Sequence, residues 1–204
     1  MGFTAESTAS KTPVILVLGD SLSASFGIDQ SIGWASLLEH KLTLHNYNYR
    51  VVNASISGET TQGGLQRLPG LLAKYQPRLV ILELGGNDGL RGLSIDMIST
   101  NLQTMISKTR GFPADILLLG MRLPPNYGAF YTERFQQMYV DLGTANNIPV
   151  VPFLLKGIAT REDLMQADGI HPKAQAQPLV LENVWEILKP RLTQTQELTE
   201  QQTQ

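Results

Sequence analysis

The chain has 204 residues and sets 16 Lys+Arg against 18 Asp+Glu, a near-neutral balance that removes the electrostatic footprint of a non-specific nucleic-acid binder. With 42% hydrophobic and 17% charged residues it has the profile of a folding chain, not that of an apolar-poor, charge-rich disordered one. At roughly 150 residues per domain a single domain is expected, large enough to bury roughly 70% of the surface its unfolded form exposes. Having no cysteine excludes disulfides, thiolate metal ligands and a cysteine nucleophile, and fits cytosol and periplasm equally.

The first residues, MGFTAESTAS, carry neither a basic leader nor an apolar stretch, so they are not a complete secretory signal and the chain reads as cytosolic or as a mature form already trimmed. Residues 1–12 are expected to be a flexible segment. The apolar run PVILVL (13–18) is far shorter than the roughly 20 residues a membrane helix needs, and its stop at Gly19-Asp20-Ser21 suits a strand buried on both faces followed by a tight turn. Residues 34–44 then show helical apolar spacing at Trp34, Leu37, Leu38 and Leu42, with Ser31 or Gly33 near the start. Residues 50–54 form a short β-branched run that stops at Ser57-Gly58, and Thr60 or Thr61 can cap a helix with Leu65, Leu68, Leu71 and Leu72 on one face.

The unit repeats. Residues 78–84 predict a strand before Gly85-Gly86-Asn87-Asp88, and Ser94 is placed to cap a helix striped by Ile95, Ile98, Leu102, Met105 and Ile106. Residues 114–120 predict a strand, 131–145 a helix, 148–151 a last short strand, and a final helix from about Pro172 to Leu188. This alternation argues for an α/β chain with a parallel sheet of about five strands and helices on both faces, one domain over 13–190. Residues 191–204, rich in Thr, Gln and Glu, are expected to be a disordered polar tail. Residues 152–167 are long for a connection in a compact domain, and long loops are often functional.

Ligands of an open parallel sheet bind outside the carboxyl ends of its strands. Those ends carry Asp20-Ser21, Ser57-Gly58 and Asn87, which deliver a hydroxyl, an unhindered backbone N–H and a neutral amide to one edge: the parts of a nucleophile and an oxyanion hole. A serine hydroxyl needs a base, most often an imidazole oriented by a carboxylate, and Asp168-Gly-Ile-His171 supplies both if the segment turns. Asp88 would repel an oxyanion, so it is expected to do no more than support its neighbour. Taken singly, Ser21 is a turn residue, His171 a surface residue before a proline, and Asn87 a residue tolerant of left-handed backbone. Their combination and order carry the weight. His40 and His45 do not share a helix face and are read as solvated, with no metal site. Neither the G-x-S-x-G elbow, which Ser23 interrupts, nor a phosphate-binding G-x-x-x-x-G-K-[ST] loop is present.

The ordered blocks GDSLS (19–23), NASISGET (53–60), GGNDGLRG (85–92) and DGIHP (168–172) resemble the GDSL, or SGNH, hydrolases. Connecting residues LQRLPGLL (65–72) and MRLPPNYG (121–128) are similar to those of the bacterial acyl-CoA thioesterase, lysophospholipase and arylesterase subgroup. The resemblance spans about 13–188. It implies a three-layer, flavodoxin-like fold, Ser21 as nucleophile, His171 as base oriented by Asp168, and an oxyanion hole of the Ser21 and Gly58 N–H groups with the Asn87 side chain. It also implies hydrolysis of acyl esters or thioesters without metal or cofactor, and a periplasmic location. Ser25 departs from it, since many relatives have glycine directly after the Ser-Ala pair. Leu90, Leu93, Leu123, Pro124 and Tyr127 are expected to line an acyl groove. A carbohydrate O-acetyl esterase on the same frame and a noncatalytic acyl-lipid-binding module are the alternatives. The expected partner is a small acyl ester or thioester, without nucleic acid or a membrane span, and a monomer is favoured.

Overall fold

The computed structural model describes residues 12–193, so the expectations for 1–11 and 194–204 lie outside the described residues. Among the described residues five parallel strands form one sheet: β1 (Val14–Gly19), β2 (Arg50–Asn53), β3 (Leu79–Glu83), β4 (Asp115–Leu119) and β5 (Val150–Val151). Their order is β2-β1-β3-β4-β5, so the chain winds outward in one direction from β1 and then in the other from β3. The interior strands are apolar along most of their length because helices cover both faces. Ile15 to Leu18, Val80 to Leu82 and Leu117 to Leu119 are all fully buried.

Six α-helices among the described residues complete the layers: α1 (Trp34–Leu44), α2 (Thr61–Tyr75), α3 (Gly86–Leu90), α4 (Ile95–Thr109), α5 (Ala129–Asn146) and α6 (Gln177–Leu188). Helix α1 packs on α6, while α4 packs on both α2 and α5. The result is an α/β/α sandwich with the core on either side of the sheet, as the strand-helix alternation implies. Thr60 caps α2 by accepting from the Gly63 N–H at 3.2 Å. The start of α1 is satisfied differently: Gly33 offers no side chain, and the Trp34 N–H donates to Oε1 of buried Gln177 at 3.0 Å. A cap of this kind is worth about 1 kcal/mol, and here it also ties the two helices of one layer together.

Several local expectations are corrected. Ser94 occupies the N-cap position of α4 but its side chain makes no capping bond. Gly86–Leu90, for which the sequence pattern predicts no helix, closes a single helical turn through Gly89 N–H to Gly85 carbonyl at 2.9 Å. The last helix begins at Gln177, after a 3-10 turn at Ala174–Ala176, and not near Pro172. Pro172 is instead held in an antiparallel bridge with Met165, and it is Pro178 that sits in the first turn of α6. At the carboxyl end of the described residues Leu192 packs on the core and the Thr193 N–H donates to the Tyr49 hydroxyl at 3.4 Å.

Candidate active site

Strands β1 and β3 are neighbours at the point where strand order reverses, and the segments leaving their carboxyl ends carry Ser21 and Asn87. After Gly19 the chain winds tightly, with Ala24 N–H donating to Asp20 carbonyl at 2.9 Å and Phe26 N–H to Ser21 carbonyl at 3.0 Å. This winding holds Ser21 at the sheet edge, half-buried, with its hydroxyl facing the cleft. It also forces Ser25 to φ 63, the left-handed region that favours glycine. The departure from the family pattern therefore falls on a residue under backbone strain.

Asp168 and His171 lie far along the chain, on a loop that the sheet does not position. The loop is built as a short hairpin: Lys173 N–H donates to Leu164 carbonyl at 2.7 Å, Gln166 N–H to His171 carbonyl at 2.8 Å, and Met165 bridges Pro172. Oδ1 of Asp168 accepts the N–H groups of Ile170 at 2.9 Å and His171 at 3.0 Å, which curls the tip so that carboxylate and ring meet. His171 Nδ1 donates to Asp168 Oδ2 at 2.6 Å, and Ser21 Oγ donates to His171 Nε2 at 2.8 Å. The Gln166 side-chain amide spans to the Phe26 carbonyl at 2.8 Å and pins the hairpin to the Ser21 turn, while the Phe26 ring lies 4.5 Å from the imidazole. Partial desolvation works against ionisation of Asp168, but the hydrogen bonds from the His171 ring and from the His171 and Ile170 N–H groups outweigh it and hold the carboxyl down to about 2.

Donors for a developing anion lie nearby. The Ser21 and Gly58 N–H groups meet no acceptor among the described residues. Gly58 sits at φ 79 in an exposed turn after β2, a conformation that a side chain would strain. That turn is anchored by Arg67, which donates from Nε to Glu59 Oε2 at 2.7 Å and from its terminal nitrogen to the Ala54 carbonyl at 2.9 Å. The Asn87 amide donates to the Glu59 carbonyl at 3.0 Å and to Asp20 Oδ2 at 3.1 Å, so it bridges the Gly58 turn to the Ser21 turn. Asp88 faces away, as its charge requires. It is fully buried and accepts the hydroxyl of Thr61 at 2.6 Å and its N–H at 2.9 Å, joining α3 to the start of α2.

A cleft of about 500 Å³ opens at Ser21 and His171. Leu90, Leu123 and Pro124 line it. Leu93 and Tyr127 are not in the lining: the Tyr127 hydroxyl turns to the Leu90 carbonyl at 2.9 Å, and the Tyr131 hydroxyl donates to the Leu93 carbonyl at 2.6 Å. Much of the wall was missed: Met121, Phe153, Leu155, Ala159, Thr160 and Met165. Five of these belong to the long 152–167 connection whose length was the only sequence signal. Arg122, also in the lining, stacks its guanidinium 5.0 Å over the Phe153 ring. No cluster of His, Asp and Glu among the described residues is arranged to hold a metal ion, and His40 and His45 are both exposed.

A model of the GDSL-like lipase/acylhydrolase family matches residues 17–178. The chain is 53% identical over 178 residues to "Esterase TesA" of Pseudomonas aeruginosa, covering 87% of this chain and 89% of that one. It is 41% identical over 182 residues to "Thioesterase 1/protease 1/lysophospholipase L1" of Escherichia coli K12, covering 89% and 86% of the two chains. Among solved structures it is similar to the psychrotrophic esterase EstA of Pseudoalteromonas sp., in a form inhibited by monoethylphosphonate. The TM-score is 0.83, with 40% identity over 87% of this chain and 97% of that one.

Proposed function

The chain belongs to the GDSL-like lipase/acylhydrolase family and is a serine ester hydrolase, and from that premise we propose that it works through an acyl-enzyme on Ser21. His171 Nε2 takes the Ser21 proton as Oγ bonds to the substrate carbonyl carbon, and Asp168 stabilises the imidazolium that results. The negative oxygen is received by the Ser21 and Gly58 N–H groups and by Asn87, whose amide shifts one of its two existing bonds toward it. The imidazolium returns the proton to the departing alcohol or thiol. Water, deprotonated by His171, then cleaves the acyl-serine ester and releases a carboxylic acid. The observation that carries this reading is the continuous relay from Ser21 Oγ through His171 to Asp168, with contacts of 2.8 and 2.6 Å.

The substrates proposed are acyl esters and thioesters of short to medium chain, including acyl-CoA, lysophospholipid and aryl esters. The apolar wall of Leu90, Leu123, Leu155 and Met165 favours an acyl chain over a sugar ring. A periplasmic location belongs to the same proposal and is checked by cell fractionation. Turnover of a p-nitrophenyl acyl series tests the substrate class: activity extending beyond acetate and lost in Ser21→Ala is expected. Activity with acetate alone favours the O-acetyl esterase, and lipid retained without turnover favours the binding module.

A further inference from the structure

Glu83 ends β3 in the core and is fully buried, directly opposite Gly19 of β1 in the sheet register. Its carboxyl fits there only because residue 19 has no side chain: a Cβ at that position would stand 2.5 Å from Glu83 Oε2 and 2.8 Å from Ser23 Oγ. Oε2 is well served, accepting the Ser23 hydroxyl at 2.6 Å and the Asp20 N–H at 3.1 Å. Oε1 is fully shielded from solvent and receives no hydrogen bond from any donor among the described residues. No lysine or arginine among them pairs with Glu83 or with its buried neighbour Asp20. Two carboxylates in contact, without a cation or solvent, cannot both carry charge.

A single proton resolves the arrangement. Placed on Oε1, it converts an acceptor without a donor into a donor beside Asp20, whose backbone N–H already reaches Glu83 Oε2 at 3.1 Å. Asp20 then remains an acceptor on both oxygens, Oδ1 for the Leu22 N–H at 3.1 Å and Oδ2 for the Asn87 amide at 3.1 Å. Ser23 closes the set from the other side, its carbonyl taking the Asn53 amide at 2.7 Å. Residues 20, 22 and 23, on either side of Ser21, are thus tied to one carboxyl pair that also holds Asn87.

We propose that Glu83 is a positioning residue that acts as a neutral acid, donating its proton to Asp20 and through Asp20 aligning the Asn87 amide with the turn that carries Ser21. The inference rests on the acyl-enzyme reading given above. Burial pushes the Asp20 carboxyl up to about 6, and burial with the adjacent Asp20 raises Glu83 well above the usual carboxylate range. The other ionisable groups facing the pair are His171, whose charge favours ionised Asp20, and Tyr139, fully buried and donating to the Leu84 carbonyl at 2.9 Å. Asp88 lies further off, bound to Thr61. None of these supplies Oε1 with a donor.

Glu83→Gln and Glu83→Ala separate a neutral acid from a carboxylate. Glutamine presents a carbonyl to Ser23 and the Asp20 N–H, and an amide donor to Asp20, the same pattern as the protonated acid. Its kcat is expected within about threefold of wild type, whereas alanine loosens the turn and lowers kcat by about 10–100-fold with little change in KM. The infrared difference spectrum of wild type minus Glu83→Gln, taken at neutral pH, is expected to show the C=O stretch of a protonated carboxyl. Carboxylate bands alone, or glutamine as damaging as alanine in a folded protein, would overturn the proposal. Labelling by a fluorophosphonate keeps the two claims apart. Wild type that fails to label at Ser21 contradicts the acyl-enzyme reading, while normal labelling of wild type with a carboxylate band at position 83 contradicts only the role of Glu83.

Discussion

Asp168→Asn tests the relay with little change of shape. In the native loop Oδ1 is committed to two backbone N–H groups and Oδ2 to the ring of His171. An asparagine that keeps its oxygen on the backbone N–H groups must turn its NH2 toward Nδ1. The imidazole then accepts at Nδ1 and carries its proton on Nε2, where it donates to Ser21 Oγ and cannot take that hydroxyl's proton. The opposite amide orientation would aim NH2 at two N–H donors and lose both bonds, so the loop itself enforces the wrong tautomer. The expected loss is about 10⁴ in kcat, or about 5.4 kcal/mol of transition-state stabilisation. Because the backbone bonds survive, the melting free energy should change by about 1 kcal/mol or less. The carboxyl is held down to about 2, so over the usable pH range its own titration does not obscure the comparison. Initial rates on a p-nitrophenyl acyl ester, with a thermal melt of the same samples, make the measurement. A variant within about tenfold of wild type would refute the tautomer argument.

Asn87→Ala should lower kcat by about 10²–10³ with KM nearly unchanged. It should also cost about 1–3 kcal/mol in denaturant unfolding, since the Glu59 carbonyl and Asp20 Oδ2 lose a donor; an unchanged kcat removes Asn87 from the oxyanion hole. Ser25→Gly relieves a left-handed φ costing about 1–2 kcal/mol and returns about 0.5–1 kcal/mol of chain entropy, for a net gain of about 0.5–1 kcal/mol; lower stability would show that the strain is compensated in place. For Asp20, folding raises the pKa from 3.8 to about 6, so its contribution is fully present below 3.8 and is lost as pH rises through 6. Wild type should therefore lose roughly 2–3 kcal/mol relative to Asp20→Asn between about pH 4 and pH 7, and a pH-independent difference in urea unfolding would contradict that linkage.

The sheet was legible because a strand covered on both faces favours a continuous apolar run, as in residues 14–18 and 79–82. Ser21 and Asn87 were legible from the same cause, since the ends of those runs fall at the edge where strand order reverses. The Asp168–His171 contact follows from a turn that the spacing permits. Other features depend on contacts remote in sequence. The wall contributed by residues 153–165 has no periodicity, because it is shaped by what it packs against. Helix α6 starts late because Pro172 is claimed by the bridge to Met165. Tyr127 leaves the groove because its hydroxyl finds the Leu90 carbonyl. Glu83 was passed over altogether. It reads as the polar end of a strand, and only the register with Gly19 reveals a carboxyl enclosed beside another.

The central claim is that Ser21 carries the covalent intermediate. Wild type and Ser21→Ala, each treated with a fluorophosphonate, digested and mapped by mass spectrometry, decide it most directly. The account predicts one phosphonyl adduct on the wild-type peptide containing Ser21, loss of esterase activity in step with adduct formation, and no adduct in the folded Ser21→Ala protein. An adduct on another residue, or activity that survives full modification of Ser21, would contradict it.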